Sequence, residues 1–139
     1  DQFFLICPDD HPLSKQTGPI AIENTLDYPH VSMPSSASVR QYIDADLLSK
    51  GLYFAPVFEV DHIATIGALV SAGLGISALP ETAISLLQAD RLAQIPLSAP
   101  GIQRPLGMVM RRHAPRSSAA RKLETLIRAS LHNLASHSS

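Results

Sequence analysis

A chain of 139 residues has room for one domain or two small lobes around a real hydrophobic core. Hydrophobic residues make up 45% and charged residues 17%, which excludes intrinsic disorder. A net charge of −1 with scattered Lys and Arg and no basic stripe makes this segment on its own a poor candidate for binding nucleic acid. The single cysteine, Cys7, allows no intrachain disulfide and fits a cytoplasmic location; the sequence shows neither a bilayer-length apolar run nor a signal-peptide pattern.

The apolar run Phe3–Cys7, stopped by Pro8, predicts a buried strand. Asp1 stands almost directly before it, without an initiating Met, which points to a fragment of a longer protein. Asp9–Pro12 reads as a turn, Ser14–Pro19 as a polar connection, and Ile20–Leu26 as a short amphipathic turn or helix. His30–Met33 is a predicted strand ended by Pro34. After Ser35, Ser36, Ala37 and Ser38 comes a helix with apolar positions Val39, Tyr42, Ile43 and Leu47, and Gly51 stands at its C-terminal cap. Phe54–Val60 is a predicted strand, His62–Ala72 a helix ended by Gly73, and Ile76–Leu79 a strand. A short helix over Thr82–Gln88 and a strand over Leu92–Leu97 follow. Beyond the break at Pro100, Gly101 and Pro105, Leu106–Met110 reads as a strand. The last helix follows Pro115 and Ser117, with Ala120, Leu123, Leu126, Ile127, Leu131 and Leu134 on one face, and Ser136–Ser139 as a frayed tail. Alternating strands and helices with short connections imply an α/β sheet.

The segment Glu59–Glu81 carries the densest information. A strand end feeds a helix, a glycine turn stops it, and an apolar strand follows, so the segment reads as a βαβ unit with parallel pairing. Ligands of open α/β sheets gather at the carboxyl ends of such strands. His62, Ile63 and Thr65 stand at that place, and Ser35, Ser36 and Ser38 open the preceding helix, where hydroxyls can cap backbone N–H groups or hold an anion. For Ile63 and Thr65 the competing duty is core and cap; for His62 it is a solvated surface, since no second His has helical spacing for a metal. Gly73 and Gly75 follow a helix and open a strand, the reverse of a dinucleotide loop, so no cofactor is expected. Ser77 lacks the glycines of a nucleophile elbow, Cys7 reads as inert core, and Asp9, Asp10 and His11 as an exposed turn; no triad or acid/base pair assembles, so no catalytic residue is expected. Arg111, Arg112, Arg116 and Arg121 read as a solvated face.

Five motifs in order resemble the second half of the effector-binding domain of LysR-type transcriptional regulators. They are Cys7–Leu13, with its His11-Pro12-Leu13; Asp27-Tyr28-Pro29 before an apolar strand; Ser35–Arg40; Ala68–Ile76 through Pro80; and Pro105–Arg112 before an amphipathic helix. The resemblance implies an α/β fold like that of type 2 periplasmic binding proteins, with the second lobe complete and part of the first. It places residues 1–13 as a crossing strand from the first lobe, 14–102 as the second lobe, 103–135 as the return strand and terminal helix of the first lobe, and 136–139 as a tail. It further implies a small anionic or aromatic effector contacting Ser35, Ser36, Ser38, His62, Ile63 and Thr65, and no metal. Its partners would be a second copy in a homodimer or tetramer, and DNA through an N-terminal winged helix-turn-helix outside this chain. A solute-binding protein of transport is the alternative, and an enzyme ranks third.

Overall fold

A computed structural model describes residues 1–87, 91–98, 102–111 and 115–136, with the backbone alone over 131–136. It contains five strands, β1 (Phe3–Pro8), β2 (Val31–Ser32), β3 (Phe58–Glu59), β4 (Ser77–Pro80) and β5 (Leu92–Pro96). Four α-helices accompany them, α1 (Ser38–Ser49), α2 (Ile63–Ser71), α3 (Glu81–Ile84) and α4 (Ser118–Ser136). The chain divides into two compact units, Asp1–Leu106 and Gly107–Ser139.

In the first unit, β1 is the middle strand of an antiparallel sheet, between β4 and β5. Leu5 lies opposite Ala78 on one side and Ile95 on the other, and Phe3, Leu5, Ile6 and Cys7 are wholly buried. A strand covered on both faces needs a continuous apolar run, which is why this segment does not alternate. Burial, with the Asp9 charge as a smaller contribution, pushes the Cys7 thiol up to about 11, so it is a protonated core group.

The second layer of pairing is parallel. Val31 and Ser32 of β2 lie beside Phe58 and Glu59 of β3. On its other side β2 meets the approach to β4: the Val31 N–H donates to the Ile76 carbonyl at 2.8 Å, and the Ile76 N–H donates to the Pro29 carbonyl at 2.9 Å. The βαβ reading of Glu59–Glu81 therefore needs correcting. The strands before and after α2 do not pair with each other; β2 lies between them and runs parallel to both, while β4 proper pairs antiparallel with β1. A helical crossover has the length to span an intervening strand, so adjacency in sequence did not dictate adjacency in the sheet.

Helices α1 and α2 bury Val39, Ile43 and Leu47, and Ile66 and Val70, on single faces. Both end in the same way. The Gly51 N–H donates to the Leu48 carbonyl and the Leu52 N–H to Leu47; the Gly73 N–H donates to Val70 and the Leu74 N–H to Leu69. This double bond pattern is a Schellman cap, and it requires the positive φ that Gly51 (72°) and Gly73 (76°) adopt. Gly75 serves a different purpose: a Cβ there would stand 2.6 Å from the Pro29 carbonyl oxygen. Its bare backbone permits the close approach that the Pro29–Ile76 hydrogen bond needs.

Several predicted elements are shorter than their apolar runs or do not form, and the strand predicted over His30–Met33 is Val31–Ser32 alone. Within Phe54–Val60 only Phe58–Glu59 is strand, because Pro56 donates no hydrogen bond and Val57 and Phe58 face outward. The helix predicted over Thr82–Gln88 forms as Glu81–Ile84 and turns at Ser85–Leu87; Gln88 lies outside the described residues. Leu106–Met110 is not a strand, since among the described residues of the second unit no other strand offers it an edge. The break at Pro100 and Gly101, Arg112, and tail residues 137–139 lie outside the described residues, as do the side chains of Leu131, Leu134 and Ser136.

The second unit is dominated by α4, whose Ala120 N–H is capped by the Ser117 hydroxyl at 3.1 Å. Glu124 bridges Arg116 and Arg128 along its polar side. Leu123, Leu126 and Ile127 form the expected apolar stripe and are exposed. Residues Met108–Arg111 and α4 enclose an apolar groove of about 430 Å³.

The close approach at Gly75 predicts that Gly75→Ala destabilises the protein by about 1–3 kcal/mol through backbone displacement. Urea unfolding monitored by circular dichroism checks it; an unchanged midpoint would mean that the Pro29 contact is slack.

A second prediction concerns pH. His30 is buried, and its Nε2 lies 3.0 Å from the Thr25 carbonyl, which can only accept, so Nε2 carries the proton. Among the described residues Nδ1 has no partner. Burial therefore holds the His30 pKa below its usual 6.5, opposed in part by the Thr25 carbonyl. With a depressed folded-state pKa, the stability contribution is present above 6.5 and is lost as pH falls through the folded value. The wild type should lose stability as pH drops below 6.5, with a steeper slope than His30→Gln. Parallel slopes in urea titrations of the two proteins would refute this.

Candidate effector-binding edge

The geometry of the candidate site follows from the parallel pair. Because Ser32 and Glu59 lie side by side, both strands end at one edge of the sheet. The Val60 N–H donates to the Ser32 carbonyl at 3.0 Å and carries the pairing to that edge. From there the short connections 33–37 and 60–62 lead directly into α1 and α2. Two helix N-termini consequently open on the carboxyl end of the same parallel pair, where α/β sheets bind ligands.

The six predicted residues occupy these two helix starts. Ser35 and Ser36 lie exposed in the turn closed by the Ala37 N–H on the Pro34 carbonyl at 2.9 Å, and Ser38 is the exposed first residue of α1. Ala37 holds the N-cap position, and α1 has no side-chain cap. None of the three hydroxyls is engaged in capping it, so the plain capping duty does not account for them. His62 is the N-cap residue of α2, extended and exposed, again without a side-chain cap; Thr65 is exposed, and Ile63 is half-buried against the core. Each helix start thus presents N–H groups without intrahelical partners and the positive end of a helix dipole. The chemistry that suits this arrangement is an anion held by backbone N–H groups and serine hydroxyls.

A buried arginine beside the edge escaped the sequence reading as a site residue. Arg40 lies in the first turn of α1 with its side chain only 7% exposed. Its Nε donates to Asp44 at 2.8 Å and one terminal nitrogen donates to Glu59 at 2.7 Å. The other donates to the Phe54 carbonyl at 3.2 Å, and the guanidinium carbon stands 4.8 Å from the Phe54 ring centroid. The signal was present: position 40 falls on the stripe of Ile43 and Leu47, and an arginine directed inward must find anionic partners. Glu59, whose carboxylate is 46% exposed, is that partner from the neighbouring strand.

Among the described residues no cluster of three His, Cys, Asp or Glu could hold a metal ion, and no helix is long and apolar enough to cross a membrane.

Comparison with known proteins agrees with this architecture. The profile described as the LysR substrate binding domain matches residues 1–132. The chain is 35% identical over 127 residues to the uncharacterized HTH-type transcriptional regulator YbhD of Escherichia coli (strain K12), covering 91% of this chain and 40% of that protein. It is 28% identical over 111 residues to the transcriptional dual regulator GltC of Bacillus subtilis (strain 168), covering 78% and 36%. It therefore spans about two fifths of the length of the curated relatives it matches. Among solved structures, a Pseudomonas aeruginosa protein assigned to the LysR family of regulators superposes with a TM-score of 0.78 at 20% identity, over 94% of this chain and 45% of that one. The BenM effector binding domain with its effector benzoate superposes with a TM-score of 0.63 at 23% identity, over 72% and 46%. On the match over residues 1–132 and on these superpositions, the chain belongs to the LysR substrate-binding-domain family and has its type 2 periplasmic-binding-protein-like α/β fold.

Proposed function

We propose that this chain senses a small anionic effector for a bacterial LysR-type transcriptional regulator, and that the effector binds at the edge formed by the starts of α1 and α2. The observation that carries the reading is the pair of helix N-termini without side-chain caps on one parallel strand pair. In this reading Ser35, Ser36 and Ser38 donate hydroxyl hydrogens to the anion, His62 and Thr65 line the facing helix start, and Ile63 supplies an apolar wall. Two solved relatives of the fold support the ligand class. The BenM domain was solved with benzoate, and the effector binding domain of QuiR with shikimate (TM-score 0.65, 16% identity); both ligands are carboxylates.

Residues 14–102 would be the second lobe, with 1–13 crossing into it and 103–135 returning to the first lobe. An effector that prefers one arrangement of the lobes shifts the population of that arrangement by its difference in affinity, and no further. DNA affinity would respond through a winged helix-turn-helix domain outside this chain, in a cytoplasmic homodimer or tetramer, with no reaction catalysed. The relatives matched over most of this chain are transcriptional regulators, which weighs against the transport alternative.

The test uses the intact gene product, DNA from its own promoter region, and a panel of aromatic and aliphatic carboxylates that includes benzoate and shikimate. The expected outcome is DNA binding that changes with one of these carboxylates. Ser36→Ala and Ser38→Ala should each weaken that response about 10- to 100-fold, the worth of one hydrogen bond to a charged group. DNA binding indifferent to the whole panel, or a ligand response untouched by both substitutions, would overturn the assignment of the site.

A further inference from the structure

The edge owes its shape to very little backbone. Strands β2 and β3 are two residues long each, and at their ends Val57 and Phe58 donate to the His30 carbonyl and Val60 donates to that of Ser32. A pair this short is marginal by itself. Yet the two helix starts must keep a fixed separation if they are to grip one small molecule.

The Arg40 guanidinium joins α1 to the end of β2 and to β3 with the segment before it. It is rooted in the first turn of α1 and reaches the Met33 carbonyl, just past the end of β2, at 3.5 Å. It meets Glu59 on β3 at 2.7 Å and Phe54, ahead of β3, through both the carbonyl and the ring. Asp44, one turn along α1, holds the guanidinium plane from behind at 2.8 Å. Only the planar fork of arginine can make these bonds in several directions at once; a lysine ammonium at the same place is a single point charge. Glu59 (46% exposed) and Asp44 (37%) both reach solvent, but only Glu59 lies on another segment, so opening its bond to water frees α1 from β3 without unburying the core.

We infer that Arg40 is a positioning residue that locks the start of α1 to the end of β3, and through β3 to the start of α2, with Glu59 as the releasable half of the lock. Its importance for effector binding rests on the site proposed above, but the lock itself does not. Energetic coupling between two segments is reciprocal, so disturbing either side must be felt on the other.

Amide hydrogen exchange in the full 139-residue chain, without any ligand, measures this directly. Glu59→Gln is read at the Gln41 amide, which donates to Ala37 in the first turn of α1. Arg40→Lys is read at the Val60 and Ile66 amides, which donate to Ser32 and to His62 at the start of α2. Each should exchange about tenfold faster than in the wild type, while the amides of β1 keep their rates. Asp44→Asn, which breaks only the contact within α1, should leave Val60 and Ile66 within about twofold of the wild type. The lock is refuted if Glu59→Gln leaves Gln41 unchanged, or if the faster exchange extends equally to β1, which would signal general loosening. Should Arg40→Lys fail to fold, the Glu59→Gln arm decides alone. Because no effector is present, failure here would leave the effector assignment standing, and failure of the carboxylate titration would leave the lock standing.

Discussion

The constraint on which the rest of the molecule depends is the two-sided pairing of the short segment Pro29–Ser32. On one side its backbone exchanges hydrogen bonds with Ile76, and on the other its carbonyls receive the N–H groups of Val57, Phe58 and Val60. That segment is the seam between the antiparallel sheet around β1 and the parallel pair that ends at the candidate site. The seam closes only because Gly75 lacks a Cβ, which would meet the Pro29 carbonyl oxygen at 2.6 Å. One missing methyl group thereby sets how closely the core is joined to the candidate edge.

Electrostatics at that edge follow from the same geometry. Parallel strands direct both following helices toward the sheet from the same end, so two positive helix termini point at a common region. The charged side chains nearby leave a negative balance, one Arg40 against Asp44, Glu59 and the exposed Asp61 before α2. Arg40 is paired with Asp44 and Glu59, and no acidic residue lies in the first turn of α1 or α2. An anion arriving there meets backbone N–H groups and hydroxyls, and it would not have to displace a carboxylate acting as the cap of either helix.

The second unit presents a different kind of surface. Its helix α4 is amphipathic in the way the sequence announces, with Glu124 held between Arg116 and Arg128 on one side and Leu123, Leu126 and Ile127 on the other. Within the unit that apolar side borders a groove with Met108, Val109 and Met110 and stays exposed. Val109 is almost completely exposed, at 98%. An apolar run next to a helix is therefore not sufficient for a strand, which also needs the unpaired edge of another.

Local chemistry made much of this protein legible in its sequence. The unbroken apolar run Phe3–Cys7 announced a buried strand, the spacing of Val39, Ile43 and Leu47 announced α1, and Gly51 and Gly73 announced the helix ends, because burial, helical period and positive φ are properties of single residues and near neighbours. The order of familiar motifs announced the family, and the serines and His62 stand, as their order implied, at the starts of α1 and α2. What those features could not convey was which strands become neighbours. That α2 spans β2 instead of joining paired strands and that Arg40 meets Glu59 nineteen residues away are outcomes of long-range packing. Pairing is decided by competition among all available edges and partners at once, and that competition exists only in the folded chain.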